Sequence, residues 1–243
     1  WHEQYADDGL MIIGIHTPEF EFEKDIENVQ DAVTKFGIKY PVVLDNNQGT
    51  WLAYGNRYWP RKYLIDLNGD IVYDHIGEGA YEETETEIQT LLGQLGGMSS
   101  VSAVDVDFSK VNSPEVYFGA SRNDLLANGE TGTQGVQTLT LPTELESNQL
   151  YLEGAWDFTE EYAETQTDET SISFLYEAKN VYMVASAPGG ATLEVYVDDV
   201  LVKTLTVKEE ELYPLVEGLD YGKHTLKIKV KGKGFNAFTF TFG

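Results

Sequence analysis

The residue types that carry most reaction chemistry are unevenly supplied in this chain of 243 residues, which holds 41 aspartates and glutamates and 4 histidines but no cysteine. Zero cysteines exclude a disulfide, a thiolate metal site and a cysteine nucleophile within these residues. No arrangement of serine, histidine and carboxylate reads as a nucleophile with its base, and no phosphate loop is present. Hard cations take oxygen ligands, which brings two acidic stretches forward as calcium candidates. The run Asp157, Glu160, Glu161, Glu164, Asp168, Glu169 lacks the Asp-X-Asp-X-Asp-Gly order of an EF-hand and reads better as a solvated face. Asp66-Leu-Asn-Gly-Asp70 is first of all a turn, because Asn-Gly joins two strands. Neither a metal nor a cofactor is expected.

The formal charge of -25 argues against nucleic acid or anionic lipid as a partner, since those require a basic face. No apolar run approaches the roughly 18 residues of a membrane helix. Trp1-His-Glu-Gln-Tyr5 resembles neither the basic nor the apolar part of a signal peptide, so the start reads as an interior cut.

The elements that must position any site follow from periodicity. Trp1 to Asp8 reads as the last turns of a helix ended near Gly9, and Leu10 to Ile15 as a strand buried on both faces. A helix opening near Glu21 carries Ile26, Val29, Ala32, Val33 and Phe36 at helical spacing and closes at Gly37. Pro41 to Leu44 is a strand, after which Asn46 or Asn47 caps a short helix bearing Trp51, Leu52 and Tyr54. Pro60 then leads a hairpin of Lys62 to Ile65 and Ile71 to Tyr73, and Tyr81 to Leu92 is a helix with Ile88, Leu91 and Leu92 inward. A glycine-rich linker, residues 98–102, separates residues 1–97 from residues 103–243. Beyond it the period is that of strands: Ser171 to Tyr176, Val181 to Ala185, Val195 to Val202 about an Asp-Asp turn, Thr225 to Lys231, and Phe238 to Phe242. The element order gives an α/β domain followed by an all-β sandwich, in form a jelly roll; the resemblance described next makes the first an N-terminally truncated thioredoxin-like domain.

The order of elements before residue 97 matches the thioredoxin fold from the middle of its first helix onward. Gly14-Ile-His-Thr-Pro-Glu-Phe20, Tyr54-Gly-Asn-Arg-Tyr-Trp-Pro-Arg-Lys-Tyr-Leu-Ile-Asp66 and Gly77-Glu-Gly79 resemble the redoxin domain of DipZ-type proteins, a branch related to the TlpA and ResA thioredoxins. The second half is similar to the C-terminal region of the same family, which is like a carbohydrate-binding module. Ser113-Pro-Glu-Val-Tyr-Phe-Gly119 with Arg122, Leu152-Glu-Gly-Ala-Trp-Asp-Phe158 and Ala237-Phe-Thr-Phe-Thr-Phe-Gly243 carry that resemblance. It implies a Cys-X-X-Cys and a central strand upstream of Trp1, so Leu10 to Ile15 and Lys62 to Ile65 should lack a neighbour or an apolar cover.

By topology His16, Thr17, the Trp59-Pro60 step and Gly77-Glu78-Gly79 lie at one edge of the sheet, which the resemblance makes the redox face. There Trp59 and a cis Pro60 would align an extended thiol substrate, His16 would tune a thiolate or relay a proton, and Glu78 would accept one. A packing aromatic, a trans turn, a hydrogen-bonded loop histidine and an exposed loop carboxylate are the plainer accounts of the same four residues. In the sandwich Tyr117, Arg122, Trp156 and Tyr162 are candidates for an aromatic plate with polar flanks that holds glycan or a protein partner, though aromatics there are mostly core and Arg122 can equally be a structural arginine. No residue of this chain is expected to be catalytic. The resemblance implies a fragment of an extracytoplasmic thiol-disulfide oxidoreductase, membrane-tethered or secreted, acting on a protein thiol or disulfide and attached to a membrane only through upstream segments. The alternative is a non-catalytic binding or scaffold protein whose sandwich does the recognition.

Overall fold

The computed structural model describes residues 1–94 and 112–243. The chain divides into two compact units, Trp1–Phe108 and Ser109–Gly243. The expected linker at residues 98–102 lies outside the described residues.

The first unit holds four helices and two small sheets among its described residues. They run α1 His2–Tyr5, β1 Gly14–His16, a 3-10 turn Glu21–Lys24, α2 Ile26–Lys35, β2 Val42–Leu44, α3 Gly49–Ala53, β3 Arg61–Ile65, β4 Ile71–Ile76 and α4 Tyr81–Gln94. Strand β1 pairs with β2 in parallel, Gly14 beside Val42 and His16 beside Leu44, and β3 pairs antiparallel with β4, Arg61 beside Ile76. The two pairs share no ladder. The strand expected over Leu10 to Ile15 forms only from Gly14, where its one partner begins. Met11 is 77% exposed, and Ile13, Ile15, Val43 and Ile65 are exposed as well.

Helix α2 shows the same incompleteness. Asp25 caps it by accepting from the Glu27 N–H at 2.9 Å, and Gly37 closes it with φ of 61°. Its apolar stripe has too little sheet to lie on: none of its residues is buried, and Ile26 and Phe36 are exposed rather than inward. A cleft of about 450 Å³ opens between Ile26, Val29 and Val33 of the helix and Tyr40, Val42 and Leu44. What core this unit has lies on another face, where Tyr5, Ile88 and Leu92 pack with Trp1, Leu10 and Leu64. The Tyr5 hydroxyl donates to Glu85 at 2.5 Å and accepts from Gln89 at 2.8 Å.

The second unit is built of strands β5 Val116–Tyr117, β6 Gly135–Leu139, β7 Leu150–Phe158, β8 Ala163–Thr165, β9 Glu169–Ala178, β10 Val181–Ser186, β11 Ala191–Val197, β12 Val200–Val207, β13 Glu211–Val216, β14 Gly222–Lys231 and β15 Asn236–Phe242. Among the described residues these eleven make one continuous sheet, ordered β12-β11-β14-β9-β7-β8-β15-β10-β13 with β5 on β15 and β6 on β7. The sheet turns between layers at β7. Its residues Leu150 to Glu153 pair with β9, whereas Trp156 to Phe158 pair with β8. Gly154 makes the bend, with φ of 99° and the Thr170 Cγ2 only 2.8 Å from where a Cβ would stand. Phe174 of β9 meets Phe240 and Phe242 of β15 at ring distances of 6.1 and 5.4 Å, so the layers close face to face over a fully buried core.

Alternation sets what enters that core. On β14, Leu226, Ile228 and Val230 are buried while Lys227, Lys229 and Lys231 point outward. Gly119 is fixed by close approach. A Cβ there would lie 2.2 Å from the Glu161 carbonyl carbon, because Ala120 and Ser121 donate to the Thr159 and Glu160 carbonyls at 2.8 and 3.1 Å.

Candidate functional site

Three loops of the first unit meet around Thr17, and each is held by a different kind of bond. The Trp59 indole Nε1 donates to the Thr17 carbonyl at 3.1 Å. The Thr17 hydroxyl donates to the Asp45 carboxylate at 3.3 Å, and the Asp45 N–H donates to the His16 carbonyl at 2.8 Å. Asp45 also accepts from the Thr50 and Trp51 N–H groups at 2.9 and 2.8 Å, which caps α3. Those N–H donors, Thr50 first, together with the Thr17 hydroxyl hold the Asp45 carboxyl below its ordinary range. The cap expected at Asn46 or Asn47 is therefore corrected: Gln48 holds the N-cap position without a side-chain bond, and the Asp45 carboxylate satisfies the first N–H groups from three residues before it. The Asn46 amide instead donates to the Lys24 carbonyl at 2.9 Å.

Trp59 completes the cluster from the hairpin side. Its ring lies 4.2 Å from that of Trp51, tilted by 35°. The Trp59–Pro60 peptide is cis, and the Pro60 carbonyl accepts from the Gly77 N–H at 2.8 Å. His16, Thr17, Trp59, Pro60 and the Gly77 turn thus adjoin through direct bonds, although β1 and β3 belong to separate sheets. Trp59 is 48% exposed, so its ring lies partly at the surface.

His16 and Glu78 are each engaged. The His16 Nε2 lies 2.9 Å from the Glu23 carbonyl oxygen. Burial pushes the Glu23 carboxyl up, against the opposing pull of the Glu19 and Phe20 N–H groups that donate to it at 2.6 and 3.2 Å. Glu78 accepts from the Tyr81 hydroxyl, and that bond, with burial, pushes the tyrosine up. Lys62 stands beside them, donating to the Gly79 carbonyl at 2.6 Å and lying over the Tyr81 ring at 4.5 Å. Burial pushes the Lys62 ammonium down, and Glu78 opposes the shift.

Asp45, Trp51, Glu23, Lys62 and Tyr81 are the residues of this region that sequence reasoning passed over. Asp45 had a usable signal, an aspartate at a strand end 5 residues before the Thr50 N–H it holds. Lys62 had none, because a lysine beginning a strand is ordinary.

Of the four sandwich candidates, Tyr117 and Arg122 are in direct contact. The Arg122 guanidinium carbon lies 3.7 Å from the Tyr117 ring centroid, and the Tyr117 hydroxyl donates to Glu115 at 2.8 Å. Tyr162 packs on Phe238 at a ring distance of 5.1 Å, and burial pushes its hydroxyl up. Trp156 is wholly buried, its Nε1 donating to the Glu153 carbonyl at 3.1 Å. It is a core residue and not an exposed plate, packed in the cluster that fills the space between the layers. Among the described residues, no three acidic or histidine side chains converge as a metal site.

The chain is 35% identical to protein DipZ of Mycobacterium bovis over 250 residues, covering 100% of this chain and 35% of that protein. Over 84 residues it is 31% identical to the thiol-disulfide oxidoreductase ResA of Bacillus anthracis, covering 35% of this chain and 46% of that one. It therefore spans about a third of the length of the relatives it matches end to end. Among solved structures, a family two carbohydrate esterase from Clostridium thermocellum aligns at 19% identity with a TM-score of 0.37, over 39% of this chain and 31% of that one. The family model described as thioredoxin like C-terminal domain matches residues 113–243, more than half the chain. By that match, this chain belongs to the thioredoxin like C-terminal domain family.

Proposed function

We propose that residues 1–94 form the substrate-facing part of a thioredoxin-like domain in an extracytoplasmic thiol-disulfide oxidoreductase of the DipZ type, membrane-tethered or secreted. The observation that carries this reading is the bond from Trp59 Nε1 to the Thr17 carbonyl, which joins loops of two sheets that share no ladder. Two strand pairs with bare edges and an uncovered α2 stripe support a further strand between them, supplied by residues outside these 243.

The chemistry requires sulfur that this chain lacks. A thiolate attacks one sulfur of a substrate disulfide, forms a mixed disulfide and releases the other sulfur as a thiolate; a second thiol of the enzyme, on losing its proton, then attacks the first enzyme sulfur, forming the enzyme disulfide and releasing the remaining substrate sulfur as a thiolate. In that sequence the Trp59-Pro60 segment would receive the extended substrate, and His16, whose Nε2 lies 2.9 Å from the Glu23 carbonyl oxygen, would tune the thiolate or relay a proton. As a chain of zero cysteines, residues 1–243 are silent alone. Among the described residues no helix is long and apolar enough to cross a membrane.

The test is disulfide exchange by the full-length product carrying Trp59→Ala. A fall of about tenfold in kcat/KM toward a protein disulfide, with little change toward a small disulfide, supports a substrate-aligning role. Equal rates for both substrates would remove Trp59 from that role.

A second reading has its own support. The Arg122 guanidinium against the half-buried Tyr117 ring is the kind of cation–aromatic pair that recognition of a glycan or a protein partner uses.

A further inference from the structure

The sequence from Asn46 to Ile65 contains no acidic residue, in a chain whose acids otherwise far outnumber its bases. Within it fall Arg57, Arg61 and Lys62, half of the lysines and arginines that precede residue 97. Arg61 and Lys62 are engaged by the hairpin. The Arg61 Nε donates to Asp74 at 3.0 Å, and the Lys62 ammonium is held on the Gly79 carbonyl. The Arg57 guanidinium is exposed and has no hydrogen bond, ion pair or ring contact among the described residues.

The loop that carries Arg57 is stapled by the side chain of Asn56. Its Oδ1 accepts from the Arg57 N–H at 2.9 Å and its Nδ2 donates to the Tyr58 carbonyl at 3.1 Å, while the Asn56 N–H donates to the Trp51 carbonyl at 2.9 Å. Trp59 is fixed from the other side by its stack on Trp51 and its bond to Thr17. Between these anchors the Trp59 N–H and carbonyl, which belong to no strand, take no hydrogen bond among the described residues. An open donor and acceptor thus lie two residues from an open cation. Two residues of extended chain span about 7 Å, so a peptide pairing with Trp59 passes within reach of the Arg57 side chain.

We infer that Arg57 is a specificity residue, selecting protein substrates whose reacting cysteine has an aspartate or glutamate two or three residues away in an extended segment. The segment pairs with the open main chain of Trp59, and Arg57 takes the carboxylate, for which its planar fork of donors is suited. The inference rests on the oxidoreductase reading above and narrows its substrate class. The acids near this edge do not neutralise Arg57: Glu21 pairs with Lys24, Glu23 accepts from the Glu19 and Phe20 N–H groups, Glu19 is engaged as well, and Glu78 accepts from Tyr81. Salt screens the chain's other acids beyond about 8 Å at physiological ionic strength, so Arg57 reads a carboxylate near the cysteine rather than the net charge of the partner.

The test measures kcat/KM of the full-length gene product toward two synthetic peptides, each closed by one disulfide and identical except that aspartates or lysines flank the cysteines two and three residues away. The expected preference for the aspartate peptide is about fivefold at low salt, carried mainly by KM, and it shrinks as sodium chloride is raised. Arg57→Gln should abolish the preference, Arg57→Glu should invert it, and Arg57→Lys should keep most of it. Lys35→Gln, on α2, should show the parent's preference. Because each preference is a ratio within one variant, a general loss of activity cancels. A parent without the preference, or a preference that survives Arg57→Glu, overturns the inference, while turnover of both peptides upholds the oxidoreductase reading. Turnover of neither peptide overturns that reading and the inference together.

Discussion

Trp59 and Thr17 are 42 residues apart in sequence, yet the indole nitrogen of one donates to the main-chain carbonyl of the other at 3.1 Å. The bond is the most direct tie between the hairpin and the loop after β1. Removing the donor while keeping an aromatic ring separates tie from stack, since Trp51 lies 4.2 Å away either way. Trp59→Phe is expected to cost about 1 kcal/mol of stability, read as a lower urea midpoint with unchanged slope. A changed slope would mean that the substitution loosens the unit as a whole.

Asp45 gives a pH-dependent prediction. Its carboxyl is held below its ordinary range in the folded unit by the Thr50 and Trp51 N–H groups and the Thr17 hydroxyl. A lowered folded value means stability that is present above the unfolded value, about 3.9, and is lost as pH falls toward the folded one. Asp45→Asn should flatten that acid limb and lower the melting temperature of the first unit by about 5 °C at neutral pH. An acid limb unchanged by the substitution assigns it to other carboxyls.

Gly119→Ala tests the close approach in the sandwich. The added methyl would sit 2.2 Å from the Glu161 carbonyl carbon and 2.5 Å from the Glu160 carbonyl oxygen, both backbone atoms. The expected loss is about 3 kcal/mol or more, seen in chemical unfolding of the second unit. A loss under about 1 kcal/mol would show that the Glu160–Glu161 turn yields easily.

Tyr176 is buried with its hydroxyl lacking a hydrogen-bond partner, and burial pushes its pKa up to about 12. Because the folded value exceeds the unfolded one, about 10, the folded form keeps its proton where the unfolded chain releases it. Stability therefore falls as pH rises through that interval. Tyr176→Phe should remove this alkaline loss and leave neutral-pH stability equal or slightly raised. Ultraviolet titration of the folded protein should show one fewer late-ionising tyrosine in the variant.

The two kinds of element differed in how far the sequence revealed them. The hairpin after Pro60 was legible because Asn68-Gly69 joins two short apolar runs, and β14 because lysines alternate with Leu226, Ile228 and Val230. The reach of β1 was not, since an apolar run becomes strand only where a neighbour pairs with it, and β2 begins only at Val42. Trp156 illustrates the other limit. Whether a strand turns a residue inward depends on its twist and bends, and here β7 changes partners from β9 to β8 just before Trp156. Around Thr17, the Trp59-Pro60 step stood out as a residue pattern, whereas Asp45, which holds the Thr50 and Trp51 N–H groups, carried only the weaker signal of an aspartate at a strand end.

The most direct measurement compares insulin-disulfide reduction by the full-length gene product with that by residues 1–243, after intact-mass analysis and sequencing through the segment before Trp1. The account predicts a Cys-X-X-Cys in that segment, turnover by the full product that disappears when either cysteine becomes serine, and none by the 243-residue chain. A full product without upstream cysteines, or turnover that survives their replacement, contradicts it.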